Sequence, residues 1–314
     1  MRTACLPGVR ESAGKQLLKG VSRSFYLTLR LLPAPMRGAA SLAYLLARTS
    51  DTLADASGAP VEARLLCLDW FGRSLNGEEE PPRWPIPVLN KIHDPAERLL
   101  MEASGDLLQW LDVLPSGEAT LVREVVEIII SGQRLDLERF TEADAEHPVA
   151  LADDAALEDY AWRVAGCVGA FWTKLGFLTM GNRFSDETEA LLTARGIAYG
   201  KGLQLVNILR DLPADLAAGR CYLPVADPRD TRILLETHRL WTDRAAEWVG
   251  EGFPYARTLQ SRRLEAATVL PAMLARETLE RLRGADWETL AARVKIPRAR
   301  VYQSLLRALW GDVS

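Results

Sequence analysis

The chain has 314 residues, 48% hydrophobic and 25% charged, enough to bury a sizeable core in one large domain or two small ones. Its net charge of −4 gives no electrostatic case for nucleic acid; four scattered cysteines without a C-x-x-C pair suit a reducing, cytoplasmic compartment; three widely separated histidines argue against a zinc site. The N-terminus, MRTACLPGVRES, lacks the apolar run of a secretory signal, and no uninterrupted apolar stretch of about 18 residues marks a membrane-spanning helix.

Taken in order, the residues predict helix after helix. Ala, Leu, Arg and Glu are abundant, and few segments alternate as strands do. A first helix is expected over Glu11–Ser22, followed by SRSF and by YLTLRLLP, which stops at Pro33. Pro35 leads into a helix from about Arg37 to Ala54, and Val61–Leu75 reads as the next. Asn76–Asp94, rich in proline and acid, reads as a surface loop. Ala96–Val113 and Glu118–Phe140 are expected to be long helices. Near the end of the second, Gly132 and Asp136 stand four apart, which suggests close packing at the glycine and a third, weaker acidic contact at Asp136. Thr141–Asp154 is a polar loop. Ala155–Gly181 is apolar, and Ala165, Gly166 and Gly169 give it a small flank that another helix, or a bulky apolar ligand, can approach closely. A helix from Ser185 or Glu187 to Ala217 follows; Pro213 should kink or end it, and Gly219 suits a C-terminal cap. Thr231–Val249, Tyr255–Arg283 and Ile296–Leu309 complete the set, with Pro271 expected to bend the middle one. The whole reads as one all-α domain over residues 1–314.

Two of these helices carry polar stripes. Tyr44, Arg48, Asp51 and Asp55 are spaced 4, 3 and 4 apart among Leu42, Leu45, Leu46 and Leu53. Gln204, Asn207, Asp211 and Asp215 are spaced 3, 4 and 4 among Leu205, Val206, Ile208, Leu209 and Leu212. Either spacing puts its four residues on one helix face. Paired acids in an apolar setting lose hydration and repel each other, and a divalent cation removes both costs. All-oxygen ligands suit Mg²⁺, which bridges to a phosphate-bearing ligand more readily than it sits in a protein-only cage. One D-x-x-x-D reads most simply as a solvated face. Two, each in an apolar helix, point to carboxylate-bearing helices facing each other across a cavity.

SRSF, YLLARTSDTLAD, YAWRVAGCVG and QLVNILRDLPADLAAGRCYLP, in that order and spread from about Gly20 to Leu282, resemble the squalene/phytoene synthase family, most nearly the bacterial squalene synthases. The resemblance implies an isoprenoid-synthase helical bundle with a central cavity. It implies head-to-head joining of two farnesyl diphosphates, through presqualene diphosphate, to squalene. Asp51, Asp55, Asp211 and Asp215 would then hold Mg²⁺ against diphosphate oxygens, with Asn207 and Gln204 assisting. Ser22, Arg23, Tyr44, Arg48 and Arg210 match diphosphate-contacting positions, where the arginine fork pairs well with phosphate. Tyr160 matches the tyrosine near the leaving diphosphate and the proton lost in the first half-reaction, and Tyr302 a C-terminal tyrosine near the same site.

The implied chemistry explains these residue types. A diphosphate leaves when its developing charge is neutralised, and the allylic cation left behind needs an apolar, water-free tunnel. NADPH is implied where squalene is the product; phytoene and dehydrosqualene synthases share every residue named but release a proton instead, and an enzyme that stops at presqualene diphosphate is a further alternative. Ala54 and Ala214 stand where relatives often have a further acid, which predicts weaker metal binding with activity retained. LEAATVLPAML lacks the phenylalanines that eukaryotic squalene synthases carry before the corresponding proline, and no C-terminal anchor like theirs is expected. Lipid substrates raise the expectation of peripheral membrane contact; the mildly amphipathic, basic Pro297–Trp310 is its candidate, with core packing as the simpler role. A non-catalytic scaffold and a terpene cyclase taking one diphosphate are the rival classes.

Overall fold

Helix starts in this chain are set by prolines and short acidic or hydroxyl caps. In the computed structural model, which describes residues 14, 16–22 and 25–310, residues 16–21 are helical. There follow α1 (Phe25–Leu31), α2 (Ala34–Ala54), α3 (Val61–Leu75), the single turn α4 (Ile86–Leu89), α5 (Pro95–Glu102), α6 (Ser104–Asp112) and α7 (Ser116–Arg139). Pro33 and Pro60 precede α2 and α3, and Asp94 caps α5 by accepting from the amide of Ala96. These helices, but for Arg139 at the end of α7, belong to one unit, Met1–Glu138. Leu42, Leu45, Leu46 and Leu53 are fully buried within it, as the apolar side of the first stripe requires.

The second unit, Arg139–Ser314, holds α8 (Asp154–Ala161), a π-helical turn (Trp162–Gly166), α9 (Cys167–Met180), α10 (Glu189–Ala217), α11 (Thr231–Gly250), α12 (Gly252–Arg257), α13 (Arg262–Leu282), α14 (Trp287–Ala291) and α15 (Arg298–Trp310). Asp153, Thr188 and Asp230 cap α8, α10 and α11 through their side chains. The strand content among the described residues is a two-residue parallel pairing of β1 (Val149–Ala150) with β2 (Arg220–Cys221), so the class is all-α. Cys67, Cys167 and Cys221 are buried free thiols.

The expected helix over Ala96–Val113 is two helices broken at Ala103. The Met101 carbonyl accepts from the Ser104 hydroxyl (2.8 Å) and from the Trp84 indole (2.9 Å), so side-chain donors compete for the group that would carry the ladder on. Tyr255–Arg283 likewise divides, because the intervening loop is tied down: Gln260 donates its amide to the Phe184 carbonyl (3.0 Å) and Ser185 its hydroxyl to that of Thr258 (2.9 Å).

The prolines neither end nor break their helices. α10 runs through Pro213, whose missing N–H would leave the Leu209 carbonyl without a donor; the His238 Nε2 of α11 approaches it at 3.2 Å and takes that place. The ring is buried, which pushes its pKa down and keeps it neutral with the proton on Nε2. α13 runs through Pro271, and in the turn before it Tyr199 donates its hydroxyl to the Thr268 carbonyl at 2.9 Å. Gly219 does cap the end of α10. It has φ +82°, and a Cβ there would lie 2.5 Å from the Asp144 amide nitrogen.

The small flank of the apolar stretch is taken by a helix. A Cβ on Gly169 would stand 1.8 Å from the Gly196 carbonyl oxygen, and one on Gly200 would stand 2.3 Å from that of Ala165. α9 and the π-helical turn therefore meet α10 backbone to backbone. Asp154–Arg183 has the length and apolarity of a membrane span, with 33% of its most apolar window buried.

Candidate active site

In the first unit, α2 presents Tyr44, Arg48 and Asp51 along one edge, and Asp55 follows at the C-cap. The Tyr44 hydroxyl reaches the Val21 carbonyl at 3.4 Å, next to the buried Ser22. Arg23 lies outside the described residues. Arg48 is held between acids: its Nη2 donates to Glu97 of α5 at 2.5 Å, and its Nη1 stands 3.8 Å from Asp51 Oδ2. The other Asp51 oxygen, Oδ1, accepts from the Gln133 side-chain amide of α7.

That environment sets the charge on Asp51. Burial comes first and the neighbouring Asp55 second; together they push its pKa up to about 6, against the opposing pull of Arg48 and Gln133. The side chain still keeps 41% of its surface accessible, so the carboxylate is crowded by protein yet reachable from outside. Gln133 is buried on α7, its Oε1 has no hydrogen-bond partner, and Asp136 follows it three residues on, half-buried.

In the second unit, Leu205, Val206, Ile208, Leu209 and Leu212 of α10 are buried, while Gln204, Asp211 and Asp215 are half-buried and Asn207 is exposed. Here the acids are already compensated. Arg210 forks onto Asp211 through Nε (3.1 Å) and Nη2 (2.5 Å), and Arg293 Nε adds a contact at 3.2 Å. Burial pushes Asp211 up, but the Arg210 bonds and charge, with those of Arg293, outweigh it and hold the carboxyl below its ordinary value. Arg293 adopts φ 60°, a left-handed conformation that bulky residues rarely take. Arg220 stands 3.6 Å from Asp215.

Tyr160, at the end of α8, is buried and stacks on Tyr222 with ring centroids 4.8 Å apart; Phe140 meets Tyr222 edge-on at 5.4 Å. The π-helical turn begins two residues after Tyr160, a distortion often found beside functional residues. Tyr302 stands 63% exposed on α15.

The residues fit magnesium. Every candidate donor is an oxygen. Among the described residues no group of three metal-ligating His, Cys, Asp or Glu occurs, so each edge offers a pair that a phosphate-bearing ligand would complete. Burial and the Asp55 charge outweigh Arg48 at Asp51, while at Asp211 the guanidinium groups of Arg210 and Arg293 outweigh burial. Glu97, Gln133, Arg220, Tyr222 and Arg293 escape the sequence reading. Gln133 and Arg293 each act on an aspartate 82 residues away, beyond any local spacing rule.

The squalene/phytoene synthase family model matches residues 18–300. The bifunctional lycopene cyclase/phytoene synthase of Colletotrichum graminicola is 32% identical over 218 residues, covering 69% of this chain and 34% of that protein. The chain thus spans about a third of the length of that relative. The presqualene diphosphate synthase of Zymomonas mobilis is 27% identical over 304 residues, 92% of this chain and 87% of its own. A ligand-bound structure of TcSQS superposes with a TM-score of 0.79 at 22% identity, covering 96% of this chain and 86% of that one, a likeness of fold.

Proposed function

The chain belongs to the squalene/phytoene synthase family, and on that premise we propose that it joins two farnesyl diphosphates head to head, by way of a cyclopropyl diphosphate, to squalene. The observation that carries this reading is the Asp51 carboxyl, where burial and the like charge of the neighbouring, exposed Asp55 impose a cost that a cation would relieve. Asp51 and Asp55, with Asn207, Asp211 and Asp215, are assigned to hold Mg²⁺. Held there, Mg²⁺ would supply positive charge to a departing diphosphate.

The chain's own side chains do the rest. Arg48 and Arg210 pair with acids in the free protein and re-aim their forks at diphosphate oxygens, joined by Tyr44, Ser22 and Gln204. Arg293, already on Asp211, is placed to do the same. Tyr160, fixed by stacking on Tyr222, is assigned to the leaving diphosphate, where its hydroxyl would donate to a departing oxygen and the freed diphosphate would accept the proton lost in the first half-reaction. Among the described residues, neither sequence nor geometry assigns a set of side chains to a nicotinamide dinucleotide, so the reductive step rests on the family resemblance.

Similarity to the Zymomonas mobilis protein over 92% of the chain supports a second reading, in which the reaction stops at presqualene diphosphate; similarity to phytoene synthases supports release of a proton instead of reduction. One incubation separates them: purified protein, Mg²⁺, and farnesyl or geranylgeranyl diphosphate, with and without NADPH, products identified by mass spectrometry. Squalene that depends on NADPH is the expected result. A diphosphate product in both arms establishes the shorter reaction, and a hydrocarbon indifferent to NADPH establishes the phytoene-type route. No condensation under any of these conditions overturns the proposal.

A further inference from the structure

α15 is an amphipathic helix with its apolar surplus turned outward. One side, through Ala308 and Leu305, joins a core cluster with Ala256, Ala266, Val269 and Met273. The other side leaves Tyr302, Leu306 (51% exposed), Leu309 and Trp310 (79% exposed) in solvent. Their spacing of 4, 3 and 1 puts them on one face. Single exposed hydrophobes are ordinary on a protein surface, but a contiguous stripe of two leucines and two aromatic rings is not.

The stripe has a basic border. Arg298–Trp310 contains three arginines and no acid. Between α13 and α15 lies a groove of about 480 Å³ lined by Arg276, Arg281, Arg300 and Arg307 against Glu277 and Glu280. Arg281 and Arg300 share Glu277, at 3.0 and 3.8 Å, so the groove keeps a positive surplus. At the end of the helix, Arg262 donates to the Trp310 carbonyl at 2.9 Å. Residues 262–314 carry ten Lys/Arg and six Asp/Glu, in a chain whose net charge is −4. Four of these arginines, Arg276, Arg281, Arg300 and Arg307, line the groove beside the face that exposes tryptophan and leucine together.

We propose that this face docks on an anionic phospholipid bilayer, with α15 lying in the interface plane, Trp310, Leu306 and Leu309 dipping into the acyl boundary, and Arg300 and Arg307 meeting lipid phosphates. At 13 residues the helix falls short of the roughly 20 needed to span a bilayer, which leaves the in-plane orientation. Tryptophan and tyrosine favour that depth, and arginine gains there from the negative surface potential. A second copy of the chain answers the charge less well, because burying an arginine-bordered stripe against its own image brings like charges together. The proposal goes beyond the assigned reaction and does not need it: vesicle binding is measured without substrate, so either can fail alone.

The test is flotation of the full chain with vesicles of phosphatidylcholine alone and of phosphatidylcholine with about 30 mol% phosphatidylglycerol. We expect binding to the anionic vesicles only, weakened by added salt. Leu306→Ser/Trp310→Ser should lower the partition coefficient about ten-fold or more, and Arg300→Glu/Arg307→Glu should lower it comparably. Circular dichroism confirms that each variant is folded, and the charge-reversed pair, which alters side chains at the surface only, serves where the apolar pair does not fold. Absence of binding, equal binding to neutral and anionic vesicles, or binding that survives both changes, as through Asp154–Arg183, overturns the proposal. So does a dimer that the serine variants convert to monomer while the vesicles go unbound.

Discussion

Gln133 shows how much of the acidic edge is made by residues that no motif names. Its amide occupies one Asp51 oxygen, and Arg48 stands by the other, so the carboxylate is aimed before any cation arrives. Partners of metal-binding groups commonly change metal affinity about 10–100-fold when removed. Gln133→Leu should therefore raise the Mg²⁺ concentration for half-maximal rate by about that factor, with a smaller effect on the rate at saturating metal. A loss of rate that no amount of Mg²⁺ restores would assign Gln133 another role. The Asp51 pKa adds a pH dependence with a definite sign. It lies near 6 in the folded protein against an ordinary 3.8, so its contribution to stability is full below pH 3.8 and is lost as pH rises through about 6. Mg²⁺ needs the ionised form, so affinity should fall as pH drops below about 6, by at most about ten-fold per unit. Titrating Mg²⁺ alone into the protein and into Asp51→Asn at about pH 5, 6 and 7 by calorimetry measures it; a flat profile for the unaltered protein would mean that Asp51 ionises like an ordinary carboxylate. At this scale the sequence identifies the acids, because helical spacing is local. It does not identify Gln133 or Arg293, because both contacts are made by folding.

At the scale of the elements, the helices and their apolar faces are legible in the residue pattern, and what is not legible is how prolines are tolerated. Pro213 announces a kink or an end; the helix continues because a buried imidazole from α11 supplies the donor that proline lacks. That arrangement predicts a coupling. His238→Leu leaves the Leu209 carbonyl buried without a donor and should cost about 1–3 kcal/mol. In a Pro213→Ala background the backbone N–H is restored, so the same change should cost distinctly less. Urea unfolding of the four proteins of this cycle gives the answer, and additive costs would mean that His238 stabilises the fold only by packing. Its pH dependence is opposite in sign to that of Asp51. The folded pKa is pushed below the ordinary 6.5, so the contribution is present above pH 6.5 and is lost as pH falls beneath it. Ala165, Gly166 and Gly169 are legible as a small flank, but the sequence leaves helix and ligand equally open as the neighbour, and it does not single out Gly196 and Gly200, which meet that flank. The structure puts a helix there. Gly200→Ala would set a methyl 2.3 Å from the Ala165 carbonyl oxygen, backbone that cannot swing aside, and should lower the melting temperature by several degrees.

For the molecule as a whole, the two acidic edges differ in how they stand before substrate arrives. At Asp51 burial and the Asp55 charge prevail over the one arginine beside it, and at Asp211 two arginines prevail over burial. On the proposed reading, in which both edges serve one leaving diphosphate, they should fail together. Asp51→Asn and Asp211→Asn should each lower turnover by orders of magnitude, since each removes a carboxylate that places charge against the leaving oxygen. Groups that act as one unit are strongly non-additive, so the double variant should be little worse than the poorer single one. A helical scaffold without catalysis predicts indifference to both changes, and two independent functions predict that their effects multiply. The order of the reaction excludes the remaining rival. An enzyme that joins two identical prenyl diphosphates has an initial rate rising with the square of substrate at low concentration, and a cyclase taking one has a rate that rises linearly. Measuring that order at a fixed Mg²⁺ excess, for the unaltered chain and for each aspartate variant with residual rate, asks of the whole protein what no single contact answers. A first-order dependence would remove the two-substrate reaction while leaving the acidic edges, their metal and the leaving diphosphate in place.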